Sequence, residues 1–283
     1  LDGAYAGFEG QTVVPVFVDA HVHFHRCYRQ SVFFESALRN FRAAEGQLGV
    51  RAGTIWLLVL ADPLGQDSFL VFKSQGGHSD WGEWSVSSML DDRTLRVVRC
   101  TGEEILVLRG WQTVTEEGLE LLSLGAAERP PSGAPFEQAV DEIDRSGAVP
   151  VVPWGFGKWS FGRKAVLLGA LERSRPGRFF LGDNGGRCAL GPEPPPLRRA
   201  RALGVPVLPG SDPLPFPWEA SRAGGYGFLL EGEFDPSRPC ASFLALVRGV
   251  RCSPPVFGRL LGPLRFTINQ CAMQIRRFRG RRA

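Results

Sequence analysis

The sequence predicts an α/β fold of the (β/α) barrel type, and three observations carry that expectation. The chain has 283 residues, a length at which such barrels commonly close around one core. From Pro135 onward, short apolar runs alternate with segments of helical apolar spacing, the pattern of a parallel sheet covered by helices. The first apolar run ends in Asp19-Ala20-His21-Val22-His23, which puts chemically active side chains at a strand end, where barrels place their sites.

The elements follow in order. Val13 to Ala20 is β-branched and apolar and reads as a buried strand. In Ser31 to Gln47, the residues Phe33, Phe34, Ala37, Leu38, Phe41 and Ala44 recur at helical spacing. Thr54 to Ala61 is a second buried strand. Phe69 to Asp92 has no clear period and reads as an excursion loop. Residues 94–99, 104–108 and 119–124 read as strands, and the early ones are expected to pair as a hairpin. Phe136 to Arg145 is an amphipathic helix stopped by Gly147. Strands are then expected at 148–152, 179–181, 205–208 and 226–230, and helices at 164–173, 197–203 and 241–249. No linker divides the chain, so residues 1–270 are taken as one domain.

Charge is unevenly placed. The net charge of +4 arises in the last ten residues, which carry Arg276, Arg277, Arg279, Arg281 and Arg282 and no acid; the remainder is slightly negative. The body is therefore not a basic nucleic-acid surface, and no specific nucleic-acid partner is expected. Residues 271–283 read as a disordered, solvated arginine tail. No apolar run reaches the roughly 18–20 residues of a membrane span, and Leu1-Asp2-Gly3 does not begin a signal peptide. Six cysteines occur without zinc-finger or C-x-x-C spacing, which fits free thiols and a reducing, cytoplasmic setting. The oligomeric state is left open.

Asp19, His21 and His23 share one strand parity, so the alternation of side chains puts them on one face. Two imidazoles at i and i+2 can ligate one divalent ion or bridge a pair. The remaining candidates follow later strands: Asp62, Gln112, Lys158, Asp183 and Asp212. His78, in a Gly-rich stretch, reads as a surface residue.

Residues 19–23 resemble the first-strand motif of the PHP phosphoesterases and of the amidohydrolases. Gly110 to Leu122 looks like the PHP segment in which a ligating Glu precedes a hydrophobic strand. Ala148 to Pro153 resembles the PHP strand that ends in His-Pro, and Gly210-Ser211-Asp212 resembles the late PHP motif Gly-Ser-Asp-Ala-His. The sequence departs from these patterns: Gln112 stands where Glu would ligate, Pro153-Trp154 replaces His-Pro, and Pro213-Leu214 replaces the late Ala-His. The resemblance implies a PHP-like or TIM-type barrel, distorted in its first half, that acts as a metal-dependent hydrolase with a metal-activated water. The implied metal, zinc, manganese or iron, would sit at His21, His23, Asp212 and Asp183. Asp212 and Lys158 are the expected catalytic groups, with Lys158 as a base, a carbamate or an anion clamp. Arg163, Arg187 and Asn184 are expected to bind a small, anionic substrate, a phosphoester or an amide. The alternative is a barrel that has lost its ligands and serves as a binding or scaffold protein.

Overall fold

The computed structural model describes residues 13–50, 53–74, 79–175 and 177–280. His78, the first three residues, Arg281 and Arg282 lie outside them. The chain forms β1 (Val13–Val22), α1 (Gln30–Leu48), β2 (Ile55–Leu60), α2 (Ser68–Ser74), β3 (Trp84–Ser88), β4 (Thr94–Arg99), β5 (Glu104–Leu108), β6 (Gly110–Val114) and β7 (Glu120–Leu124). It continues through α3 (Phe136–Arg145), β8 (Val149–Pro153), α4 (Gly162–Arg173), β9 (Phe180–Gly182), α5 (Pro195–Ala202), β10 (Tyr226–Glu233), α6 (Pro239–Gly249), β11 (Val256–Gly258) and α7 (Pro263–Gly280).

The expected closed barrel is not present. A seven-stranded sheet runs in the order β11-β10-β1-β2-β5-β4-β3, and a four-stranded sheet in the order β6-β7-β8-β9. Both are mixed. The reason lies in the connections. A parallel crossover needs a dozen or more residues. Only residues 100–103 join β4 to β5, only Arg109 separates β5 from β6, and residues 115–119 join β6 to β7. β3-β4-β5 and β6-β7 therefore pair antiparallel. β10 also runs antiparallel to β1. Among the described strands, the parallel pairs are β1-β2, β2-β5 and β8-β9.

Other expectations shift locally. The excursion loop contains α2 and β3, because Phe69, Phe72, Trp81 and Trp84 bury in the aromatic cluster around α1. Residues 205–208 form no strand; they make isolated bridges, Leu181 to Val207 and Asn184 to Gly210, along β9. Residues 271–280, expected to be disordered, continue α7. That helix is held by buried Asn269, whose side-chain nitrogen donates to Glu219 Oε1 at 3.1 Å, and by Arg276, which donates to the Pro215 carbonyl at 3.1 Å. Among the described residues no helix is long and apolar enough to cross a membrane.

Three apolar layers result. Phe33, Phe34, Phe41, Phe72 and Trp81 fill the outer face of the large sheet under α1. Val16, Val18, Ala20, Leu57, Val59, Leu122, Val151 and Phe228 form the layer shared by the two sheets. Trp111, Phe136, Val140, Leu167 and Leu181 pack α3 to α5 on the small sheet.

One irregularity sets the site. β1 places Val16, Val18 and Ala20 in the inner layer and Phe17 in the outer one. Its pairing register with β2 then shifts between Asp19 and Val22. Beyond the shift Val22 faces the outer layer, so His21 takes the inward direction that even-numbered residues held before it. A bulge re-aims side chains in this way. The shift is clamped by Asp19, which is fully buried. Its carboxylate accepts from the Ser211 amide at 2.8 Å, the Ser211 hydroxyl at 2.5 Å and the Gly224 amide at 2.9 Å. The Asp212 amide in turn donates to the His21 carbonyl at 2.8 Å. Gly210 lies so close that a Cβ there would sit 2.4 Å from the His21 Cβ and 2.5 Å from its backbone nitrogen.

Two stability predictions follow from this clamp. Asp19→Ala leaves these three donors unmatched in a dry interior and should lower unfolding free energy by about 3 kcal/mol, read by denaturant titration. Gly210→Ala should destabilise by a similar, roughly 3 kcal/mol amount, since backbone cannot yield as a flexible side chain would; wild-type stability in that variant would contradict the close approach.

Candidate metal centre

The bulge, the segment after β9 and the end of β8 bring their side chains to one cavity of about 180 Å³. It is lined by His21, His23, Asp212, Asn184, Lys158 and Glu120 among others. His21 Nε2 and His23 Nε2 lie 3.0 Å apart, and Asp212 Oδ1 lies 3.6 and 3.3 Å from them. Both imidazoles are buried. Asp212 adopts a left-handed backbone conformation with φ of 44°. Aspartate visits this region more readily than most residues, at some energetic cost, and such strain concentrates at functional sites.

The donor set fits a divalent ion. Ligand atoms at the usual nitrogen distance around a tetrahedral ion are separated by roughly 3.3 Å, close to the spacing of these three atoms, which all lie within 4.8 Å of one another. Two imidazole nitrogens and one carboxylate oxygen suit zinc, manganese or iron. The Oε1 of Gln112 lies in the same cavity, buried and without a partner, and adds a neutral oxygen acceptor.

The electrostatics agree with an ionised Asp212 between two imidazoles. Burial opposes its charge, but His21, His23 and the Asn184 amide hold its carboxyl well below the usual carboxylate range. Burial pushes the His21 imidazole down, and neighbouring His23 adds to this. His23 is also penalised by burial, yet its hydrogen bond and charge interaction with Asp212 raise it. Burial pushes the Asp19 carboxyl up to about 7, against the hydrogen bonds of Ser211, Gly224 and His21. All its neighbours donate, so the carboxylate is the form this geometry accommodates.

The expected site residues divide into those that converge and those that do not. His21, His23, Asp212, Asn184 and Lys158 meet in the cavity. Asn184 donates through Nδ2 to Asp212 Oδ2 and to the Trp154 carbonyl, so it orients the Asp212 carboxylate. Lys158 Nζ lies 2.5 Å from Glu120 Oε1, an ion-pair contact at the cavity wall. Asp183, expected as a metal ligand, is committed elsewhere: Arg187 donates to both its oxygens at 2.9 Å, and the Tyr226 hydroxyl donates to Oδ2 at 2.9 Å. The same pairing takes Arg187 away from an anionic substrate. Arg163 lies in a different surface depression, with Glu117 and Phe161, and donates to the Gly157 carbonyl. Asp19 shares no face with His21, because the bulge separates them. Asp62 accepts from the Ser68 amide and hydroxyl, both at 2.6 Å. His25 Nε2 donates to the Pro213 carbonyl at 2.9 Å.

Sequence reasoning missed Glu120, Gln270, Met273 and Arg277, all of which line the cavity. Glu120 opens β7 within the segment that carried the family resemblance, and strand parity there pointed to it. The α7 residues had no local signal, since the helix was read as a solvated tail.

No protein-family profile matches this chain, and no curated protein matches it. The solved structures similar to it in part include these three. PsfC from Pseudomonas syringae PB-5123 is 11% identical, over 84% of this chain and 97% of PsfC, with a TM-score of 0.46. The lesion-specific endonuclease PfuEndoQ from Pyrococcus furiosus is 12% identical, over 84% of this chain and 56% of the endonuclease, with a TM-score of 0.47. Endonuclease Q in complex with a 27-mer duplex substrate bearing an abasic lesion at its active site is 12% identical, with 84% and 57% covered and a TM-score of 0.42. This chain thus spans little more than half the length of the endonuclease. The expectation of no specific nucleic-acid partner is withdrawn: two of these similar structures are of endonucleases, one of them bound to a duplex, and the net charge of a whole body does not describe its local surface.

Proposed function

We propose that this chain is a metal-dependent hydrolase whose centre is held by His21, His23 and Asp212. One observation carries the reading: two imidazole nitrogens and a carboxylate oxygen from distant segments meet within 4.8 Å in the wall of a cavity. A divalent ion bound there supplies Lewis acidity toward the scissile group and brings the pKa of a coordinated water toward neutrality.

The protein groups take distinct parts in this proposal. Asp212 stays ionised across the neutral range, and a carboxylate held that low is a weak proton acceptor. Its part is ligation, with Asn184 fixing the second oxygen. His21 and His23 offer their Nε2 lone pairs. Lys158, oriented by Glu120, is a cation that faces the cavity and neutralises charge on a bound substrate. The ligand set is short, with Asp183 engaged by Arg187 and Tyr226, and Gln112 offers the nearest additional acceptor. A phosphoester or an amide is the substrate in this reading.

Metal analysis of the purified protein should find zinc, manganese or iron near one per chain. His21→Ala, His23→Ala and Asp212→Ala should each weaken metal affinity by about tenfold or more, and a chelator should remove activity that added metal restores. A protein that is metal-free and takes up no added ion would overturn the reading and favour a binding or scaffold protein.

Lys158 is tested by two replacements. As a cation it should tolerate Lys158→Arg with most activity retained, whereas Lys158→Ala should lose about 10–100-fold in turnover, with little change in melting temperature. Equal loss in both variants would point instead to a base or carbamate.

A further inference from the structure

The C-terminal helix closes one side of the cavity. Gln270, Met273 and Arg277 of α7 line it with His21, His23 and Asp212. Their spacing, i, i+3 and i+7, sets them on one helical stripe. The helix is fixed at both ends of this stripe. Phe266 meets Phe156 of the β8-α4 loop edge to face at 5.5 Å. Trp218 Nε1 donates to Asn269 Oδ1 at 3.2 Å, and Asn269 reaches the buried Glu219. Arg276, next in sequence, points to the neighbouring groove beside His25 and Tyr28. Its bond to the Pro215 carbonyl fixes the rotation of the last turns.

Arg277 differs from the other cations near the site. Lys158 is paired with Glu120, and Arg187 with Asp183. Arg222, also close to Asp212, is paired with Glu219. Among the described residues Arg277 has no carboxylate partner. A guanidinium left unpaired in a cavity wall, with a planar fork of donors, suits a carboxylate or phosphate-type oxygen pair. The charge balance agrees. The lining groups Asp212 and Glu120 cancel Lys158 and Arg277, so a divalent ion would leave the cavity positive. That surplus complements an anion and has no counterpart in a neutral amide.

We infer that Arg277 is a specificity-determining residue, placed by α7 to bind an anionic group of the substrate beside the His21-His23-Asp212 centre. The inference rests on the metal-hydrolase reading for its chemistry but is tested separately from it.

The experiment is calorimetric titration of inorganic phosphate into the full chain, with and without added manganese. Metal content is measured on the same samples, and wild type is compared with Arg277→Ala, Arg277→Lys and Arg251→Ala. Arg251 is a surface arginine remote from the cavity and controls for loss of one positive charge. Arg277→Ala should weaken phosphate binding about tenfold, Arg277→Lys by less, and Arg251→Ala by under about twofold, with metal content unchanged throughout. Phosphate affinity in Arg277→Ala equal to wild type, or an equal loss in Arg251→Ala, overturns the inference. Wild type that holds metal but binds no phosphate also overturns it and leaves the metal reading intact. Wild type that holds no metal overturns the metal reading, while Arg277-dependent phosphate binding to that protein would still support the role of Arg277.

Discussion

The buried carboxylate of Asp19, tied to the Ser211 hydroxyl and to the amides of Ser211 and Gly224, governs the geometry of the whole site. It fastens β1 to the segment between α5 and β10 and holds the bulge through which His21 turns inward. The same contact brings Asp212 beside His21, because the Asp212 amide donates to the His21 carbonyl one residue beyond Ser211. One buried ion-dipole cluster thus sets both the fold at this edge and the meeting of the ligands.

This arrangement divides carboxylates by role in a way that residue type does not. Asp62 and Asp183 follow strands, Asp19 lies within β1, and Asp212 lies in the segment between α5 and β10. Asp19 is saturated by backbone and hydroxyl donors and Asp183 by Arg187, Tyr226 and the Asn184 amide, while Asp62 accepts from the Ser68 amide and hydroxyl. A carboxylate with every lone pair engaged stabilises its neighbourhood and has little left for an ion. Only Asp212 directs an oxygen at two imidazoles, and it does so from a strained backbone.

The cavity is also built from pieces far apart in sequence. The bulge, β7, the β8-α4 loop, the 184–186 turn, the 212–214 segment and α7 each contribute. Its positive side depends on α7, which is positioned by Asn269 on Glu219 and by Phe266 on Phe156. The helix therefore joins the apolar packing of the molecule to the charge of its cavity.

Much of this was legible in the sequence. Apolar runs located β1, β2, β4, β5, β7, β8, β9 and β10, and helical spacing located α1 and α3 to α6, because burial imposes its period locally. The paired imidazoles of residues 21 and 23 and the Gly210-Ser211-Asp212 segment were visible as residue types at strand ends. Four things were not. Barrel closure failed because loop length, not strand pattern, decided antiparallel pairing. The face of Asp19 was lost to a bulge that depends on Ser211 and Gly224, nearly two hundred residues away. Asp183 was engaged by Arg187 and Tyr226 instead, a pairing that needs the first residue of β10 to reach the residue after β9. Residues 271–280 became part of an ordered helix because Glu219, buried by the fold, anchors that helix through Asn269. Local sequence determined which segments bury and which groups are chemically able; only tertiary contacts decided where each side chain points, since a partner distant in sequence sets its direction.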